Sequence, residues 1–99
     1  MSTQTILSGV VDADGGIASG EGFTSNKGSA TGVYAVNLNG NPYNSPPTVL
    51  LSVDTSTEGE QYTACASLHN VKSDSFNVSI QNLAGNSKDF RFNFMCIGE

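Results

Sequence analysis

The side chains with most chemical potential are few: one histidine, His69, and two cysteines, Cys65 and Cys96. A Cys–His pair makes a nucleophile only when the two groups lie within hydrogen-bond reach. The stretch YTACASLHNV (62–71) alternates, which puts Cys65 and His69 on the polar face of one strand with Thr63 and Ser67. Four residues along a strand span roughly 13 Å, too far to share a proton. Cys96 could approach His69 in a fold, yet no acid is placed to orient the imidazole. His69 therefore reads as a partly exposed residue at a strand end. One histidine also rules out a two-histidine metal site within a chain. The stretch DADGG (12–16) opens like a calcium loop, but its twelfth position is Phe23, where a bidentate Glu is required. It reads as an Asp/Gly turn. NVS (77–79) is a glycosylation sequon in mid-strand, read as a chance match. No catalytic centre, metal or cofactor is expected, and the chain is read as a non-enzyme.

Polar side chains near strand ends offer another chemistry. Asn26, Lys27, Asn82, Asn86, Lys88, Asp89 and Arg91 are amides and a few charges of the kind that hydrogen-bond neutral sugars. An aromatic ring usually packs on the sugar face, and Tyr34, Tyr43 and Tyr62 combine a ring with a polar tip.

The elements that must position these groups follow from composition and alternation. Ninety-nine residues make one domain, 1–99, with a modest core. Eleven glycines, no Trp and only 13% charged residues suit short strands joined by tight turns. Alternating or apolar stretches fall at 5–11, 32–38, 48–54, 62–71, 75–83 and 89–98, about six strands with turn signals between them. The segment EGFTSNKGSAT (21–31) is polar, with Phe23 its one large apolar residue, and reads as a loop. TVLLSVD (48–54) is nearly all apolar, which predicts burial on both faces. Pro42, Pro46 and Pro47 lie just before it. Proline cannot donate to a sheet ladder and holds the preceding residue extended, so the cluster stiffens the approach to that strand.

The formal charge is −5, with Lys27, Lys72, Lys88 and Arg91 the only cations. Nucleic acid needs several phosphate-neutralising cations on one face, so it is set aside, as is an anionic membrane surface. No stretch is long and apolar enough for a membrane span, so no membrane insertion is expected. The first sixteen residues show no basic start and apolar run of the secretory kind. Cellular location is left open, an extracellular, cell-surface or virion-associated setting being compatible with the rest. The two cysteines allow a disulfide or two buried thiols, and the missing export signal favours thiols.

The order of ILSGVV, VNLNGNPYNSPPTVLLSVD, ASLHNVKSDSFNVSI and FNFMCIG resembles the H-type lectins, the galactose/N-acetylgalactosamine-binding domains of snail agglutinins and discoidins. Pro42, Tyr43, Pro46, Pro47, Val49, Val71, Phe76, Ile97 and Gly98 match that family's pattern over almost the full chain. The resemblance implies a six-stranded antiparallel β-sandwich, a trimer of identical chains and a sugar site near subunit contacts. The family's sugar-contacting arginine falls near Thr63 here, its Trp and the next polar residue near Asn82 and Leu83, and its tyrosine near Lys88. Those contacts therefore do not transfer. GFTSNKGSATGVYAVNLNGNPYNSPPTVLLS is also similar to segments of phage and bacterial tail-fibre tips, which are trimeric β-structures that bind receptors or cap a fibre.

The expectation is then an all-β sandwich with Val49, Leu51, Phe76, Val78, Ile80, Phe90, Phe92 and Phe94 in or near the core. Glycans are the expected partner. Asn26, Lys27, Thr63, Asn82, Asn86, Lys88, Asp89 and Arg91 would line the site, with Asp89 foremost because a carboxylate accepts strong, charge-assisted bonds. Met95 and Ile97 lie opposite the phenylalanines of the last strand, so its outer face calls for cover from another copy.

Overall fold

The computed structural model describes residues 3–55 and 63–99. Tyr62 and the polar stretch before it lie outside the described residues. Among those described, the chain is all-β without a helix, and its eight strands are β1 (Thr5–Val11), β2 (Ile17–Gly20), β3 (Phe23–Lys27), β4 (Val33–Leu38), β5 (Thr48–Asp54), β6 (Ala64–His69), β7 (Ser75–Asn82) and β8 (Arg91–Gly98). They form two antiparallel sheets, one ordered β2-β1-β8-β5 (sheet A) and one ordered β3-β4-β7-β6 (sheet B).

Period-two alternation builds the core between the sheets. Tyr34, Val36 and Leu38 of β4 and Phe76, Val78 and Ile80 of β7 face Val11, Phe92, Phe94 and Cys96 of sheet A. The rings meet edge-on: Phe23 on Phe94 at 4.8 Å, Tyr34 on Phe92 at 5.2 Å and Phe76 on Phe94 at 5.3 Å between centroids, the geometry favoured by the ring quadrupole. The six expected core positions on β7 and at or just before β8 are buried, while Val49 and Leu51 are half-buried against the same cluster.

Three readings need correction. The segment 21–31, read as loop, holds β3, and residues 17–20, outside every expected element, form β2. Their apolar signal is faint because β2 is wholly exposed and β3 buries only Phe23 deeply. Both are edge strands, so one or both faces meet water. β5 is not buried on both faces: Val49, Leu51 and Val53 turn inward, but Leu50 is 56% exposed. An apolar run at a sheet edge has one face on the core and one outside. The cysteines are both free, but only Cys96 is buried, since Cys65 falls on the outward parity of β6.

The proline-rich approach has a second function. Between Pro42 and Pro47 the chain inserts Tyr43, 3% exposed, whose hydroxyl lies between the carbonyls of Thr5 (3.0 Å) and Cys96 (3.1 Å). The adjacent Asn44 N–H donates to the Glu99 carbonyl at 2.8 Å. Tyr43 thus pins the start of β1 and the end of β8 at one end of the sandwich. The expected site residues belong to the other end.

Candidate functional site

The register collects strand ends there. In sheet B, Lys27 ends β3 opposite Tyr34, Val33 begins β4, and Ala64 begins β6 opposite Asn82, the end of β7. In sheet A, Val11 pairs with Phe92 and Asp54 with Arg91. The 12–16 turn, the 28–32 connection and the 83–90 connection therefore share one end. Three of the four cations, Lys27, Lys88 and Arg91, lie at that end.

Asp89 is the hinge of this arrangement. Its Oδ1 accepts the Gly32 N–H at 2.6 Å, and its Oδ2 lies 3.4 Å from Lys27 Nζ. Gly32 in turn sits inside the β7–β8 connection: Ile80 N–H donates to its carbonyl at 2.8 Å. A Cβ on Gly32, whose φ is +75°, would come within 2.7 Å of the Ile80 carbonyl oxygen and 2.9 Å of that of Lys88. Only glycine fits such a left-handed, crowded position. Below this pair the Tyr34 hydroxyl donates to the Ala13 carbonyl at 2.8 Å. Burial, and next the negative charge of Asp89, raise the Tyr34 phenol well above its ordinary value, so it is a fixed donor at neutral pH. Ser25 Oγ donates to the Gly15 carbonyl at 2.7 Å. The 12–16 turn is thereby strapped across the sandwich end onto sheet B. That turn is closed as its Asp/Gly composition predicts, with Gly16 N–H on Asp14 Oδ1 at 2.9 Å.

The other expected residues distribute around this centre. Asn82 Oδ1 accepts the Ala84 and Asn86 N–H groups, both at 3.0 Å, so its side-chain oxygen shapes the turn that presents Asn86. Asn86 and Lys88 are exposed, as is Thr63 just before β6. Lys88 N–H donates to the Ile80 carbonyl at 3.2 Å, which fixes its backbone while its side chain meets water. Lys27, Asp89, Asn82, Asn86, Lys88 and Thr63 thus share the rim of sheet B. Asn26 and Arg91 diverge from them. Asn26 points out of the exposed face of sheet B, since its neighbours Ser25 and Lys27 have the inward parity of Phe23. Arg91 points out of sheet A, where its Nε and Nη2 bind Asp12 Oδ1 at 2.8 and 2.7 Å.

The residues missed by sequence reasoning are Gly32, Asp12 and Ala13. Gly32 acts through its backbone and Ala13 through a carbonyl, neither of which leaves a side-chain signal. Asp12 was visible only as a turn residue. His69 stands at the end of β6, exposed, with Nε2 2.8 Å from Ser79 Oγ across the sheet. Among the described residues, no three His, Cys, Asp or Glu side chains gather closely enough to hold a metal ion, and no helix is long and apolar enough to cross a membrane. Compared with known proteins, the chain matches no family model, no curated protein and no solved structure.

Proposed function

We propose that this domain is a carbohydrate-binding module of H-type-lectin character, recognising galactose- or N-acetylgalactosamine-type glycans and acting multivalently as a homo-oligomer, a trimer by the resemblance. The observation that carries the reading is the sheet-B rim. There the Lys27–Asp89 ion pair, on the β3–β4 side, is partly open to solvent, and the exposed hydroxyl, amide and ammonium of Thr63, Asn86 and Lys88 lie along the same end of the sheet. A carboxylate has about four lone-pair directions. Gly32 and Lys27 occupy two of those on Asp89, which leaves capacity for sugar hydroxyls. The two inward bonds also hold the carboxylate still, so ordering it on binding costs little. Among the described residues no aromatic platform lies on this rim, so each site should bind weakly, at roughly millimolar strength or about −4 kcal/mol. Useful affinity would then come from several sites presented together.

One observation favours a second reading, a trimeric structural or receptor-binding domain of the tail-fibre kind without sugar binding. Both Asp89 oxygens and the Asn82 side-chain oxygen already serve the fold. A glycan panel presented at low and high protein density separates the two. The lectin reading expects density-dependent binding that weakens in Asn86→Ala and Lys88→Ala, both at exposed positions that leave the fold intact. Absence of binding to every glycan at high density leaves only the structural reading.

A further inference from the structure

The two outer faces of the sandwich differ sharply. On sheet B the outward rows are Thr24–Asn37–Ser75, Asn26–Ala35–Asn77–His69 and Val33–Ser79–Ser67, a mainly hydroxyl and amide surface in which Val33 is the one large exposed aliphatic. On sheet A the outward rows are Ile6–Ile97–Thr48, Ser8–Met95–Leu50 and Val10–Asn93–Ser52. Ile6 is 61% exposed, Leu50 56% and Met95 39%. Of the two sheets, sheet A thus carries the more aliphatic outer surface, with Ile6, Ile97, Met95 and Leu50 on adjoining rows, and contiguous aliphatic surface on a small domain marks an interaction site.

We propose that the outer face of sheet A is where the chain binds further copies of itself, with the Leu50 ridge of one copy seated in the shallow groove that crosses the sheet from β2 to β5 in another. This deepens the self-association part of the reading above by naming the surface, and it holds whether or not sugar is bound. Shape supports it. A groove of about 550 Å³ runs across this face, with Leu50 as one wall and the short side chains of Ser8 and Ser19 at the opposite side. Ridge and hollow therefore lie on the same face, so a copy can offer to its neighbour what it lacks itself. Such a contact is self-complementary: when two of these faces meet, each ridge fills the other copy's hollow.

Charge supports a second copy over a charged partner. A chain of formal charge −5 repels itself. The three rows above carry no charged residue, and at the fourth Arg91 offsets one of two carboxylates, lying opposite Asp54 and bonded to Asp12. Like molecules can approach over these rows without direct charge repulsion, and the aliphatic side chains there, absent from the equally uncharged Thr24 and Asn26 rows of sheet B, are what favour contact. Its area is adequate rather than generous. Four strands about 4.8 Å apart and seven residues of about 3.3 Å each cover roughly 400 Å² of plane, so two faces with their side chains bury on the order of 1,000 Å². That is the lower edge of specific interfaces, so assembly should depend on concentration in the micromolar range.

Sedimentation velocity of the full chain over a concentration series tests this. The wild type should form an assembly larger than the 10.3 kDa chain. Leu50→Asp would place an unpaired charge in the contact and should weaken assembly by about a hundredfold or more. Ser19→Arg fills the groove from an exposed position and should do the same, which guards against a folding defect in Leu50→Asp. Asn77→Asp, on the outer face of sheet B, should leave assembly unchanged. A wild type that stays at 10.3 kDa up to hundreds of micromolar, or an assembly indifferent to both sheet-A variants, overturns the proposal. Glycan binding by Leu50→Asp is read separately, so failure of self-association and failure of sugar recognition remain distinguishable.

Discussion

Asp89 and Gly32, 57 positions apart, are joined by a 2.6 Å bond from the Gly32 N–H to Asp89 Oδ1. The bond ties the connection before β8 to the start of β4, so it links the two sheets at the end where the sugar site is proposed. Removing the acceptor leaves the buried Gly32 amide unpaired. Asp89→Ala should therefore cost about 1–3 kcal/mol in denaturant unfolding. Asp89→Asn keeps an acceptor and should cost less. Gly32→Ala, strained at φ +75° and crowded by backbone oxygens, should cost at least as much as Asp89→Ala. Equal stability of all three variants and wild type would remove Asp89 from its structural role.

The final strand is expected to be the most sensitive element in the core. Phe92 is 0% exposed and stacks edge-on against Tyr34. Phe92→Ala should lose roughly 3–5 kcal/mol. A cost near zero would mean that β8 presents its other face to the core.

The two thiols should separate cleanly. Cys65 is exposed and should react with a thiol reagent in the native protein, whereas Cys96 should react only on unfolding. Burial pushes the Cys96 thiol up from 9.0 to about 11. The folded state then keeps a proton that the unfolded chain releases above pH 9, so the contribution is complete below pH 9 and is lost as pH rises through 11. Stability should fall by about 2 kcal/mol by pH 11 from this group, with burial of Tyr34 acting in the same direction. Cys96→Ala, compared with wild type at pH 8 and pH 11, should show a shallower decline. Two native thiols reacting at equal rates would contradict the placement of Cys96.

Legibility in the sequence followed the physics of each element. β4, β7 and β8 read correctly because central strands pack one face deeply and alternate with period two. β2 and β3 were hidden because exposed edge strands need little apolar surface. Leu50 misled because an unbroken apolar run looks the same whether its second face meets core or solvent; only the strand order decides. The rim residues Lys27, Asn86, Lys88 and Asp89 were legible as a group because turns gather polar side chains. The strap that organises them was not, since it runs through the Gly32 amide and the Ala13 carbonyl, which every residue type except proline supplies in full.

Residue-resolved amide shifts during titration with N-acetylgalactosamine, galactose and a set of unrelated sugars test the sugar-binding claim most directly. Saturable shifts at roughly millimolar sugar should centre on Thr63, Asn86, Lys88 and Asp89, with Lys27 following through its ion pair. Absence of shifts with every sugar, or shifts confined to the sheet-A groove around Leu50 and Met95, would contradict the account.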